Sequence, residues 1–317
     1  MLLACGTAAM ADTFGTGTNR FTIDFVRISG ATNPSSGIPA GDGFTFTGVA
    51  NDYRMGTYEI TNSQWNKFKA AYGTVTGSPS TAYDTNSYYT GTSVPTNNVS
   101  WYEAAQFVNW LNTSTGHQVA YKFTGTKGTS NYNFAVWDTA DAGYDLGNPY
   151  RNKNAFYFLP TEDEWVKAAY WNGTALQDYA TKAGDTLFQG NGTNGGWNYY
   201  DGDTGPAGPG EGPWSVGSGG QELNGTYDMM GNLWEWTESP SSNSDYGVTS
   251  SRAARGGLFA WNGADYLISS ARCDGMYPSD ESFGMAFRVA SVPEPGSITL
   301  LAGVALTALL CWWRERA

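Results

Sequence analysis

Ten residues, Asp228 to Thr237, reading DMMGNLWEWT, constrain this chain more than any other stretch. The Gly231-Asn232 pair marks a turn, because both residue types accept backbone conformations that others avoid. Trp234 and Trp236 follow at alternate positions, the pattern of a strand entering an aromatic core. The same span sets two carboxylates, Asp228 and Glu235, on either side of a sharp bend. Hard oxygen donors around such a bend suit a calcium ion. Two readings therefore stand together: a turn that leads into a core strand, and a cation site built on that turn.

Composition says how the rest is organised. Forty-one Gly, 20 Tyr and 13 Trp in 317 residues, with only 15% charged, describe a loop-rich protein held by large rings. No linker interrupts the chain, so one large domain is expected. The net charge of −12 repels phosphate backbones and no basic patch offsets it, which argues against nucleic acid as a partner. Cysteines stand at 5, 273 and 311 and form no CxxC motif. His117 is the only histidine, in the loop-like TSTGHQ, so multi-histidine metal sites are excluded.

Both ends read as addresses. Residues 1–11 close on Ala9-Met10-Ala11, an A-x-A pattern that a signal peptidase would cut before Asp12. The apolar run ahead of it is short, as in a truncated signal peptide. Residues 297–313 form an uncharged run, about 25 Å long as a helix and able to span a membrane, followed by Arg314, Glu315 and Arg316. Val292-Pro293-Glu294-Pro295 stands just before it.

Three segments carry helix-start signatures: Thr61-x-x-Gln64, Ser100-x-x-Glu103 and Thr161-x-x-Glu164 are capping boxes ahead of apolar stripes. Short aromatic segments such as Ala155–Leu159 alternate with Gly, Asn and Asp clusters and read as strands and turns. The expected class is α+β. Trp197, Tyr199, Tyr200 and Trp214 argue that the glycine-dense stretch 190–220 is an ordered loop.

Six motifs occur in a telling order: YEITNSQW at 58–65, PTNNVSWYEAAQFVNWLN at 95–112, FLPTEDEW at 158–165, YDMMGNLWEW at 227–236, ARGG at 254–257 and AFRVA at 286–290. Over residues 21–290 the chain resembles the formylglycine-generating enzyme, or sulfatase-modifying factor, domain. That resemblance implies a loop-rich fold related to C-type lectins, with bound calcium. It places one calcium site on Asp228 and Glu235 through side chains and on Gly231 and Leu233 through backbone oxygens. A second would begin at Asn198 and Tyr199, with Glu211 or Asp203 as weaker acidic candidates. Residues 292–317 resemble a PEP-CTERM sorting signal, which implies a Gram-negative source, processing by an exosortase, and an inner-membrane-anchored precursor released to the cell surface or extracellular matrix.

The family's chemistry is a copper-dependent oxidation that uses two cysteines a few residues after the RGG motif. Thiolates are the soft ligands that hold Cu(I). Here Trp261 and, approximately, Tyr266 occupy those places, and Cys273 follows as a single thiol. Phe158 also stands where the family often has Arg. The chain is therefore expected to lack copper and to act as an exported, non-catalytic scaffold whose loops bind polysaccharide or a matrix protein. The alternative is an enzyme of the same family with different or residual oxidase chemistry, using carboxylates near Asp265, Asp274, Asp280 or Glu281 as acid and base.

Overall fold

The computed structural model describes residues 10–34, 38–39, 45–83, 85–193, 195–202, 212–242, 245–260 and 263–293. Alternating burial along Phe21–Ile28 shows how the larger sheet begins. Phe21, Ile23 and Phe25 face the main core while Thr22 is exposed, the period of two expected of a strand, and Ile28, on the opposite face, joins the second cluster. The larger sheet contains β1 (Met10–Phe14), β2 (Phe21–Ile28), β5 (Tyr53–Gly56), β8 (Tyr157–Phe158) and β13 (Ala290–Ser291). Their spatial order is β1-β2-β5-β13-β8, with every neighbouring pair antiparallel.

The smaller sheet orders β11 (Cys273–Met276), β10 (Arg252–Arg255), β9 (Trp234–Pro240) and β12 (Met285–Ala286) side by side. β9 pairs antiparallel with β10 and parallel with β12. Two hairpins lie apart from these sheets, β3 (Ile38–Pro39) with β4 (Thr45–Phe46) and β6 (Lys122–Thr124) with β7 (Asn133–Ala135).

The three capping boxes open the helices α1 (Asn62–Tyr72), α2 (Trp101–Ser114) and α3 (Glu162–Tyr170), and both reciprocal hydrogen bonds are present in each. α2 is buried along most of its length, so its stripe widens to nearly all faces, as expected of a helix inside the molecule. Its rings join the main core: Trp101 meets Tyr121 at 5.1 Å and Phe134 at 5.0 Å, and Phe107 meets Phe68 at 5.1 Å. Trp165 of α3 anchors a second cluster with Trp197, Met229 and Met230.

The mixed, loop-rich class read from the sequence is the class observed. Trp197, Tyr199 and Trp214 are buried, so the described part of the glycine-dense stretch is packed structure. His117 lies just beyond α2, stacked on Phe156 at 4.3 Å. Met10 and Ala11 pair with Phe25 and Asp24 as the first residues of β1. Beside them the Asp12 carboxylate binds Arg54 at 2.6 and 3.0 Å and the Tyr157 hydroxyl at 2.9 Å. No helix among the described residues is long and apolar enough to cross a membrane. Residues 1–9, and the apolar run 297–313 with Glu294 and Pro295, lie outside the described residues.

Candidate functional site

The bend ahead of β9 organises a buried polar centre. Asp228, Gly231 and Asn232 all have positive φ, at 62°, 81° and 60°. Glycine is needed at 231, since a Cβ there would collide with the Asn198 carbonyl oxygen. Asp and Asn tolerate the left-handed region better than other side chains. Asn198 and Gly231 form a β-bridge, and the Asn198 carbonyl accepts from Asn232 N at 2.8 Å. The Asn232 side chain accepts from Trp214 N at 2.8 Å and Asn198 Nδ2 at 3.1 Å, and donates to Glu59 Oε2 at 2.8 Å. One amide thus locks the 198, 214 and 59 segments to the bend.

Four buried carboxylates surround a single arginine here. Arg288 reaches Glu235 through Nε at 2.6 Å and Nη2 at 2.5 Å, and also donates to the Gly56, Thr57 and Tyr227 carbonyls. Trp165 Nε1 donates to Glu235 Oε2 at 2.8 Å. Asp228 accepts from Gly217 N at 2.7 Å, and Glu222 from the Thr226 hydroxyl, Met229 N and Met230 N. Glu59 adds a fourth carboxyl whose Oε1 is buried without a hydrogen-bond partner among the described residues. Burial pushes Glu222 up to about 8 and Asp228 up to about 6, and raises Glu59 well above the usual carboxylate range. One guanidinium does not neutralise four carboxylates, so the centre favours protons or an added cation.

A second constellation lies after β10. Arg255 binds Glu162 at 2.6 Å and Arg272 binds the same carboxylate at 2.8 and 3.0 Å, fixing both ends of the 255–272 loop to α3. Within the loop, Phe259 packs on Tyr89 at 5.6 Å and Tyr89 on Phe283 at 6.3 Å. Tyr88 lies 4.9 Å from Tyr89 and is 68% exposed. Tyr266, 46% exposed, makes an edge contact with Trp234 at 6.2 Å. Rings thus border the loop on this side.

A family model for the sulfatase-modifying factor enzyme 1-like domain matches residues 44–292. The chain belongs to that family. Solved structures with the same fold include Treponema denticola variable protein 1 (TM-score 0.59, 21% identity, covering 90% of this chain and 99% of that one). CarF follows at 0.57 and 19%, covering 86% and 99%. PvdO from Pseudomonas aeruginosa gives 0.53 and 15%, covering 89% and 98%. Comparison with proteins of curated function finds no significant match.

In this sulfatase-modifying-factor-like domain Tyr266 sits in the short 3-10 helix Ala264–Tyr266, and Trp261 lies outside the described residues. Cys273 is the only cysteine among the described residues. It opens β11 opposite Ala254, half-buried, and burial pushes its thiol up, away from the thiolate that metal binding needs. Arg151 stacks on the Phe158 ring at 3.7 Å and bridges Glu164 at 2.7 Å and Glu238 at 2.9 Å.

Asp228, Gly231, Leu233, Glu235, Asn198 and Tyr199 fall around the one bend, with Glu211 and Asp203 outside the described residues. Among the described residues Asn198 Oδ1 is a buried acceptor with no partner and Asp228 is a buried acid with no counter-ion in contact, both suited to a hard cation. Glu235 differs, for Arg288 and Trp165 already occupy its oxygens. Among the described residues no three His, Cys, Asp or Glu side chains gather as a metal cluster. Sequence reading missed Glu59 and Glu222, although Glu59 lies inside the YEITNSQW motif and Glu222 six residues before Asp228.

Of the acid-base candidates, Asp265 is exposed and Asp280 caps Tyr277 N at 2.8 Å. Glu281 accepts from the Thr85 hydroxyl. Asp274 borders a cavity of about 330 Å³ with Asp245 and Ser241.

Proposed function

We propose that this domain is an exported, non-catalytic ligand-binding scaffold, with the aromatic border of the 255–272 loop as its docking surface. The observation that carries the reading is the border of that loop: Tyr88 and Tyr266 are exposed, and Tyr88 is backed by the partly buried Tyr89, which packs on the buried Phe259. Exposed rings offer stacking area at low conformational cost, which suits a polysaccharide or a matrix protein. Calcium at the bend would tie the 198 and 228 segments together and neutralise their acids. An exosortase-type enzyme acting at the C-terminal signal would move the chain from an inner-membrane-anchored precursor to the cell surface or extracellular matrix.

A glycan array probed with the purified protein tests the saccharide version. Binding that weakens about tenfold or more in Tyr88→Ala supports it, since a stacked ring contributes of order 1–3 kcal/mol. Copper uptake together with oxygen consumption on a cysteine peptide would replace this reading with residual oxidase chemistry.

A further inference from the structure

A cavity of about 420 Å³ lies at the start of α3, remote in sequence from the aromatic loop, and is bordered by Thr47, Asn148, Thr161, Asp163, Ser239 and Tyr246. Its size falls in the range of small-molecule sites. Two of its acceptors, Asp163 Oδ1 and Asn148 Oδ1, are buried and have no hydrogen-bond partner among the described residues. The orientation of Asn148 is set from elsewhere, because its Nδ2 donates to Glu238 Oε1 and so leaves its oxygen as the unused end. The other oxygen of Asp163 is held by the Thr47 backbone N–H and hydroxyl.

Charge identifies what is missing. Glu162 is matched by Arg255 and Arg272, and Arg151 binds both Glu164 and Glu238. These four carboxylates and three guanidiniums, counting Asp163, leave one negative charge, and Asp163 is the acid without a cation in contact among the described residues. Lys167, one turn further along α3, is turned away to Asn33 and the Val49 carbonyl. In the first turn of the helix, Glu164 N is bound by the Thr161 hydroxyl and Glu162 N by the Ser239 hydroxyl. A ligand that only donates, and carries positive charge, meets two waiting oxygens and the Tyr246 ring.

We infer that this cavity binds an organic ammonium group, with Asp163 and Asn148 as its acceptors and Tyr246 as its aromatic wall. The inference goes beyond the proposed docking surface and stands whether or not that surface binds anything. Burial, then the neighbouring Glu162 and Glu164, push Asp163 up to about 6 against the Thr47 hydrogen bonds, so the site is charged and receptive at neutral pH.

The test is titration of the purified protein at pH 7.5 with propylamine, N-acetyl-lysine amide and glucosamine, the last two distinguishing a peptide side chain from an amino sugar. Glucose and N-acetylglucosamine serve as uncharged controls. Saturable binding of at least one amine, weakened about tenfold or more in Asp163→Asn and again at pH 5, supports the inference, because a charge-assisted hydrogen bond is being removed. Asn148→Ala gives a second arm, and the melting temperature of each variant without ligand shows that it folds. No amine binding to the wild type, equal binding to folded Asp163→Asn, or equal binding of the uncharged sugars overturns it, as does displacement of the amine by calcium chloride at matched ionic strength.

Discussion

Glu222 accepts two backbone N–H bonds and one hydroxyl, yet burial still pushes it up to about 8, from an ordinary value of 4.5. A group raised in the folded state adds stability that is complete below its unfolded value and vanishes as pH climbs through its folded value. Asp228, raised to about 6, acts in the same direction. In chelator, the melting temperature is therefore expected to fall between about pH 4 and pH 8, and Glu222→Gln should flatten the upper part of that slope. Calcium should reverse the loss at pH 8, because an ion bound only by the folded state stabilises it by mass action. Gly231→Ala is expected to cost at least about 1–3 kcal/mol in denaturant melts, since it combines a left-handed φ with a collision on Asn198. The sequence exposed the bend and its two acids because they are neighbours in the chain. It hid the acid surplus, since Glu59 and Glu222 arrive from separate segments and only their common approach to Arg288 makes them one centre.

At the level of single elements, α3 connects most of the features above. Its first turn supplies Glu162 to two arginines, Asp163 to the cavity and Glu164 to Arg151, while Trp165 reaches Glu235. Thr161→Ala removes the cap and is expected to cost about 1 kcal/mol, read from urea midpoints. Arg151→Met is expected to cost more, about 3–5 kcal/mol, because it leaves Glu164 and Glu238 without their shared cation. The capping boxes were readable in full, being local devices four residues long. The role of Arg151 was not: nothing in RNKNAFYF indicates that a guanidinium seven residues upstream of Phe158 will lie over its ring. Likewise Tyr88 and Tyr89 join Phe283 and Phe259 only through the fold, so the aromatic border left no trace in residue spacing.

For the molecule as a whole, class and family were legible from the ordered motifs, whereas strand order was not. The short β13 carries no turn or periodic signal of its central place, yet it separates β5 from β8 and hydrogen-bonds to both. Its Ala290 and Ser291 are buried, and Arg54 Nε donates to the Ser291 hydroxyl at 2.8 Å. Removing residues 289–292 should abolish the cooperative thermal transition, whereas an equally long deletion in an exposed loop should leave it intact.

That placement has a consequence for synthesis. The strand that closes the larger sheet is among the last described residues to leave the ribosome, so β5 and β8 must wait with open edges until it arrives. A nascent chain of this design cannot lock itself shut early. Until that strand arrives, the facing edges of β5 and β8 stay open to pairing with strangers.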